Sequence, residues 1–193
     1  MRIIAGTYRS RVLTAPAGLA TRPTSDRLRE TLFDVLGVRI RGAAFLDLYA
    51  GSGAVGIEAL SRSAAQAAFV ERSRGALQVL RQNLARLGIG GGVRIHAMST
   101  AKFLHAAEGA QPFNVVFLDP PYEAAEEYTA ALGLLGGPAA GRLAEGAVVI
   151  AEHRRKQWLE QRYGRLERTR LLEQGDAALS FYAVAAAAGE AAL

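Results

Sequence analysis

Short apolar runs, each followed by a longer amphipathic segment, recur through the middle of this chain. Phe45-Leu46-Asp47-Leu48-Tyr49, Ala67-Ala68-Phe69-Val70, Val93-Arg94-Ile95-His96-Ala97, Asn114-Val115-Val116-Phe117-Leu118 and Ala147-Val148-Val149-Ile150 have the length and residue types of strands. Between them the spacing predicts helices through Ile57, Ala59 and Leu60 and over residues 75–87, 100–107 and 124–135, the last broken by Gly136-Gly137-Pro138. Strands alternating with helices imply an α/β fold with a parallel sheet covered on both faces. Ahead of this block, Arg2-Ile3-Ile4-Ala5 and Arg11-Val12-Leu13 flank Gly6-Thr7-Tyr8-Arg9-Ser10 as a hairpin outside the main sheet. A helix then carries Leu28, Leu32, Phe33, Val35 and Leu36, capped by a hydroxyl residue of Thr24-Ser25 and ended near Gly37. After the fifth strand the sequence predicts a basic helix around Arg154-Arg155-Lys156, a closing antiparallel pair over 166–172 and 178–184, and a frayed Ala-rich tail.

The chemistry concentrates where the fourth strand stops, at Asp119-Pro120-Pro121-Tyr122. Two successive prolines forbid a helix and a further ladder strand, so the loop is stiff. In an open α/β sheet, ligands bind in the crevice beyond the carboxyl ends of the strands. An exocyclic amine on a planar base is a poor nucleophile until acceptors hold its N–H groups, and Asp119 with the carbonyl of Pro120 offers two such acceptors. Tyr122 offers a ring on which the base stacks. Taken alone, the same four residues also suit a plain strand-terminating turn. Gly51, Gly53 and Gly56 match G-x-G-x-x-G after the first strand, a spacing shared by nicotinamide, flavin and adenosylmethionine sites. Glu71 follows about twenty residues on, where an acid commonly holds ribose hydroxyls.

Charge changes the picture further. The net charge is +5, and residues 1–41 carry all of it, with Arg2, Arg9, Arg11, Arg22, Arg27, Arg29, Arg39 and Arg41 against Asp26, Glu30 and Asp34. Arginine clusters suit phosphate, which points to nucleic acid, although an Arg-rich chain also places arginines on plain solvated faces. With no cysteine, disulfides and thiolate chemistry are excluded, and His96, His105 and His153 are not at metal-ligand spacing, so no metal is expected. No apolar run is long enough for a membrane span, and a soluble cytoplasmic monomer is expected.

Asp47-Leu48-Tyr49-Ala50-Gly51-Ser52-Gly53, Glu71 and Asp119 to Tyr122 occur in the order found in class I methyltransferases that use S-adenosyl-L-methionine. With Arg2-Ile3-Ile4-Ala5-Gly6, Arg22-Pro23-Thr24, Arg27-Leu28-Arg29-Glu30-Thr31-Leu32-Phe33 and Glu58-Ala59-Leu60-Ser61-Arg62, the chain resembles the RsmD-type 16S rRNA guanine-N2 methyltransferases. The resemblance spans almost the full length and weakens after Tyr122. It implies a Rossmann-like seven-stranded, mostly parallel sheet with helices on both faces and the last strand antiparallel. A basic appendage over 1–41, a catalytic domain over 42–185 and a tail over 186–193 follow. The implied reaction is methylation of one guanine amine of 16S rRNA within a 30S or pre-30S particle. By the same resemblance, Asp47, Tyr49, Gly51, Ser52 and Gly53 line the methionine end of the cofactor, Glu71 its ribose and Thr24 its N-terminal approach. Asp119 and Pro120 hold the guanine amine, Tyr122 stacks on the base, and Arg2, Arg9, Arg11, Arg22, Arg27 and Arg29 meet the RNA. Where the family carries an acid near the adenine amine this chain has Ser99, which leaves a Ser99 hydroxyl or a water to satisfy it, with Met98 over the ring. The alternatives are a DNA adenine or cytosine amino-methyltransferase, a protein-glutamine methyltransferase, and a non-catalytic RNA-binding assembly factor.

Overall fold

Alternate side chains of the central strands enter opposite layers, and both layers are apolar, which is why these strands read as unbroken apolar runs. The computed structural model describes residues 1–16, 25–106, 112–121 and 124–185. Among these, β1 (Ala44–Asp47), β2 (Gln66–Val70), β3 (Val93–His96), β4 (Phe113–Leu118), β5 (Leu143–Arg154), β6 (Arg162–Tyr163), β7 (Leu166–Gln174) and β8 (Ala177–Val184) form one sheet. Its order is β3-β2-β1-β4-β5-β8-β7-β6, with β1 to β5 parallel and the last three joined antiparallel. Phe45, Phe69, Val115, Phe117 and Ile150 pack under α1 (Asp26–Leu36), α2 (Ala54–Ser61) and α3 (Arg74–Arg86). Leu46, Val70, Val116, Leu118 and Val149 pack on the other face, under α4 (Thr100–His105) and α5 (Ala125–Leu135).

Local signals set the element ends. The Ser25 hydroxyl accepts from the Leu28 amide and starts α1, and Gly37, at φ +51°, ends it. Two expectations need correction. There is no helix at Arg154-Arg155-Lys156: Arg154 is the last residue of β5, opposite Ala177, and the Arg155 amide donates to the Asp176 carbonyl at 2.8 Å. Pairing with β8 carries β5 through Arg154, and Arg155 and Lys156 then turn off the sheet, with the Gln157 amide donating to the Arg154 carbonyl at 2.8 Å. The sheet also has eight strands rather than seven, because Arg162 and Tyr163 pair with Glu167 and Leu166 across Gly164. A two-residue strand shows no periodicity. The tail over 186–193 lies outside the described residues.

The N-terminal hairpin narrows to one bridge, Arg2 with Val12, and buries Ile3 and Leu13 in the layer that holds α1 and α2. Glu58, fully buried on α2, holds it there: its carboxylate accepts the amides of Ile4 at 2.8 Å and Ala5 at 3.0 Å and the Arg62 Nε at 2.8 Å. The hairpin turn docks farther on, where the Thr7 amide donates to the Ser61 carbonyl at 2.9 Å and the Tyr8 amide to the Ser61 hydroxyl. Ser61 ends α2, so the turn stands one eight-residue helix, about 12 Å, from the glycine turn that begins it.

Candidate active site

At the end of β1 the chain passes through Gly51 and Gly53 into α2. Gly53 has φ +82°, and a Cβ there would fall 2.3 Å from Leu80 Cδ1; a Cβ on Gly56 would fall 2.3 Å from Phe69 Cε1. These two glycines let the turn curl and α2 lie close on the sheet, leaving Asp47, Tyr49, Gly51 and Ser52 to line the cavity above; Gly53 stands behind them and does not. Glu71, just past β2, braces the turn by accepting the Gly51 amide at 2.8 Å and the Ser73 amide at 2.7 Å. Buried Asn83 on α3 braces it from the other side, donating to the Ser52 carbonyl at 2.9 Å and exchanging two hydrogen bonds with the Thr14 backbone. This pulls the incoming strap over the cavity, where Met1, Ala15 and Pro16 form a wall.

The cavity measures about 390 Å³, within the usual range for a small-molecule site. Asp47, Gly51, Glu71, Met98, Ser99, Asp119, Pro120 and Pro121 all line it, so the glycine turn and the acidic corner face one space. The Ser99 hydroxyl accepts the Lys102 amide at 3.3 Å as the cap of α4, which leaves its own proton to donate. Tyr49 donates its hydroxyl proton to Glu127 at 2.8 Å, and Arg72 approaches the same carboxylate at 3.6 Å. Glu127, Arg72, Asn83 and Met1 are site residues that the sequence reading missed. Only Arg72 had a local signal, lying next to Glu71. Tyr122, Thr24 and Arg22 lie outside the described residues.

Three carboxylates share one face of the sheet at this edge. Asp47 ends β1, and the register of Leu118 with Ala151 sets Asp119 and Glu152 side by side at the ends of β4 and β5. Burial, then the charges of Glu152 and Asp47, push the Asp119 carboxyl well above its ordinary value, although one side of Asp119 stays open to the cavity. Burial also pushes Asp47 from 3.8 to about 7, against the Gly56 amide that donates to it at 3.2 Å. Folding therefore disfavours ionised Asp47: the penalty is absent below pH 3.8, grows as pH rises to about 7, and is constant above. Asp47→Asn keeps the acceptor for Gly56 and removes the charge. Its melting temperature relative to the unsubstituted chain is expected to be higher at pH 8, by up to about 4 kcal/mol in stability, with the gain gone at pH 4. An equal difference at both pH values would place the Asp47 carboxyl in its ordinary range.

The arginines expected to meet RNA divide. Arg2 and Arg27 are exposed near the start of α1, Arg11 is exposed along the hairpin, and Arg9 belongs to the turn at the far end of α2. Arg29 is not available: it is fully buried, donating to the Arg2 carbonyl and to Asp26 at 2.9 Å, with its Nε 3.7 Å from Glu58. It ties α1 to the hairpin.

A family model described as "Conserved hypothetical protein 95" matches residues 1–183. The chain belongs to this family. Within the chain's reach is "Putative rRNA methyltransferase YlbH" of Bacillus subtilis, 37% identical over 183 residues, 94% of this chain and 98% of that protein. "Ribosomal RNA small subunit methyltransferase D" of Escherichia coli K12 is 47% identical over 122 residues, which cover 63% of this chain and 60% of that protein. Among solved structures, the "Putative methyltransferase yhhF from Escherichia coli" superposes with a TM-score of 0.82 at 39% identity, over 96% of this chain and 98% of that one. The Conserved hypothetical protein 95 fold seen here is thus a class I methyltransferase fold, as the order of motifs implied.

Proposed function

We propose that this protein transfers a methyl group from S-adenosylmethionine to the exocyclic N2 amine of a guanine in 16S rRNA, within a 30S or pre-30S particle. The observation that carries this reading is the shared cavity: Asp119 at the end of β4 faces the Gly51 turn at the end of β1. The names of the relatives support an rRNA substrate for this chain. The cavity fits the cofactor by its donor set, with Glu71 retaining lone pairs for a ribose, Met98 and Val70 offering apolar surface for adenine and Asp47 and Tyr49 standing at the glycine turn.

When bound, S-adenosylmethionine supplies a methyl group already activated by its sulfonium. The protein's part is then alignment and charge placement, which contribute about 7–11 kcal/mol when the reacting atoms are held in line. Asp119 and the Pro120 carbonyl accept the two N–H bonds of the guanine amine and turn its lone pair toward the methyl. Asp119 would take the surplus proton of the methylated amine, and its raised pKa makes it a better base than an exposed aspartate. Pro121 lines the cavity beside Asp119, and the ring of Tyr122, as the family resemblance implies, would stack on the base.

Radiolabelled S-adenosylmethionine, incubated with naked 16S RNA, reconstituted 30S particles and DNA, tests the reading. Label is expected in N2-methylguanosine of the RNA, with 30S the better substrate. Label confined to DNA would make the protein a DNA amino-methyltransferase, and label in none would leave a binding module.

A further inference from the structure

We infer that Trp158 and the basic turn before it form a second RNA contact, on which a nucleotide flanking the target base stacks. Trp158 is 73% exposed, the only aromatic among the largely exposed apolar side chains of the described residues. A frayed loop does not explain this. The next residue, Leu159, is 2% exposed within the layer of α4 and α5, and its carbonyl accepts from Arg168 at 3.3 Å. The Glu160 amide donates to the Tyr163 hydroxyl at 3.0 Å, and its carbonyl accepts from Tyr182 at 2.9 Å. On the near side, the Arg155 amide donates to Asp176 and the Gln157 amide to Arg154, each at 2.8 Å. The backbone is fixed on both flanks of an indole held out in water, so the ring is ready to stack without the entropy cost of ordering a loop.

Its place in the fold selects the partner. β5 runs parallel to β4, so the segment after Arg154 leaves the sheet at the edge where Asp119 stands, and Tyr128 of α5 donates to the Glu152 carbonyl at 2.8 Å beneath it. A base turned out of its stack to reach Asp119 leaves its neighbours lying across this edge. Exposed Arg155 and Lys156 suit the phosphates there, and the Trp158 face suits any base. The basic turn of the N-terminal hairpin, by contrast, docks at the far end of α2.

This inference rests on the RNA reading above. Trp158 is the only tryptophan in the chain, so its emission, excited at 295 nm, reports this site alone. A 16S RNA transcript is expected to quench that emission. Trp158→Ala is expected to raise KM for 30S particles about tenfold, with Trp158→Phe restoring most of it and KM for S-adenosylmethionine unchanged. Arg155→Gln with Lys156→Gln is expected to flatten the salt dependence of RNA binding. Unmoved emission while filter binding records the complex, or a Trp158→Ala enzyme with unchanged KM for 30S, overturns the inference and leaves the methyltransferase reading intact. Emission that responds to phosphatidylglycerol vesicles and not to RNA overturns it in favour of a membrane surface. An unsubstituted chain that methylates no RNA defeats the underlying reading instead.

Discussion

Asp119→Ala is expected to lower kcat by about 10²- to 10³-fold or more while leaving the affinity for S-adenosylmethionine within about twofold. On the proposed mechanism the carboxylate is the acceptor that the strand end holds at the cavity, and its loss removes a preorganised group for the substrate amine. Asp119→Asn separates two parts of the role. Asparagine keeps an acceptor oxygen and loses the charge and the base, so it should retain more activity than alanine and lose pH dependence. Calorimetry with the cofactor alone decides the alternative: if Asp119→Ala no longer binds it, Asp119 belongs to the cofactor site.

The pH profile carries its own sign. Because burial and the Glu152 and Asp47 charges raise the Asp119 carboxyl, it stays protonated into a pH range where an exposed aspartate is ionised. On the proposed mechanism the ionised form is the acceptor, so kcat/KM should rise with pH through this raised value rather than through the ordinary carboxylate range. Asp119→Asn should flatten that limb. Glu152→Gln, by removing a neighbouring charge, should move it to lower pH. A limb unmoved by either substitution would assign the titration to another group.

Much of this site was legible in the sequence because it lies where strands end. Apolar runs stop at Val70 and Leu118, and parallel topology brings those ends to one edge, so Glu71 and Asp119 needed no long-range knowledge, whereas Asp47, inside the run Phe45–Tyr49, came from the family resemblance. The residues that escaped act across the fold. Asn83 sits on the third turn of a helix whose sequence reads as ordinary, and only packing shows its amide between the Ser52 carbonyl and Thr14. Glu127 and Tyr49 are joined by the start of α5 folding over β1. Trp158 was hidden by the expectation of a helix at Arg154-Arg155-Lys156, where the chain instead ends β5 at Arg154 and turns. Arg29 shows the opposite failure. Charge counting put it with the arginines that face RNA, but its place three residues after Asp26 and opposite Glu58 makes it an internal strut.

Glu58→Ala should therefore destabilise the fold by about 3–5 kcal/mol, with a fall in melting temperature of about 10 °C or more for a chain of this length. Glu58 is fully buried and serves two backbone amides, the Arg62 Nε and the Arg29 guanidinium. Truncation leaves those donors without their acceptor and leaves Arg29, also fully buried, with Asp26 as its remaining carboxylate. The amides of Ile4 and Ala5 tie the hairpin to Glu58 of α2, so their hydrogen exchange should accelerate more than that of β4. The Arg29 guanidinium can be separated from the rest by a double substitution. A buried ion pair replaced by apolar side chains of similar volume often loses little stability, whereas one partner removed alone leaves an uncompensated charge. Arg29→Met combined with Glu58→Met should then be more stable than either single variant. It should also bind RNA with the salt slope of the unsubstituted chain, since Arg29 reaches no solvent. A double variant no more stable than Glu58→Ala would assign the clamp to the backbone amides alone, and a reduced salt slope would return Arg29 to the RNA surface.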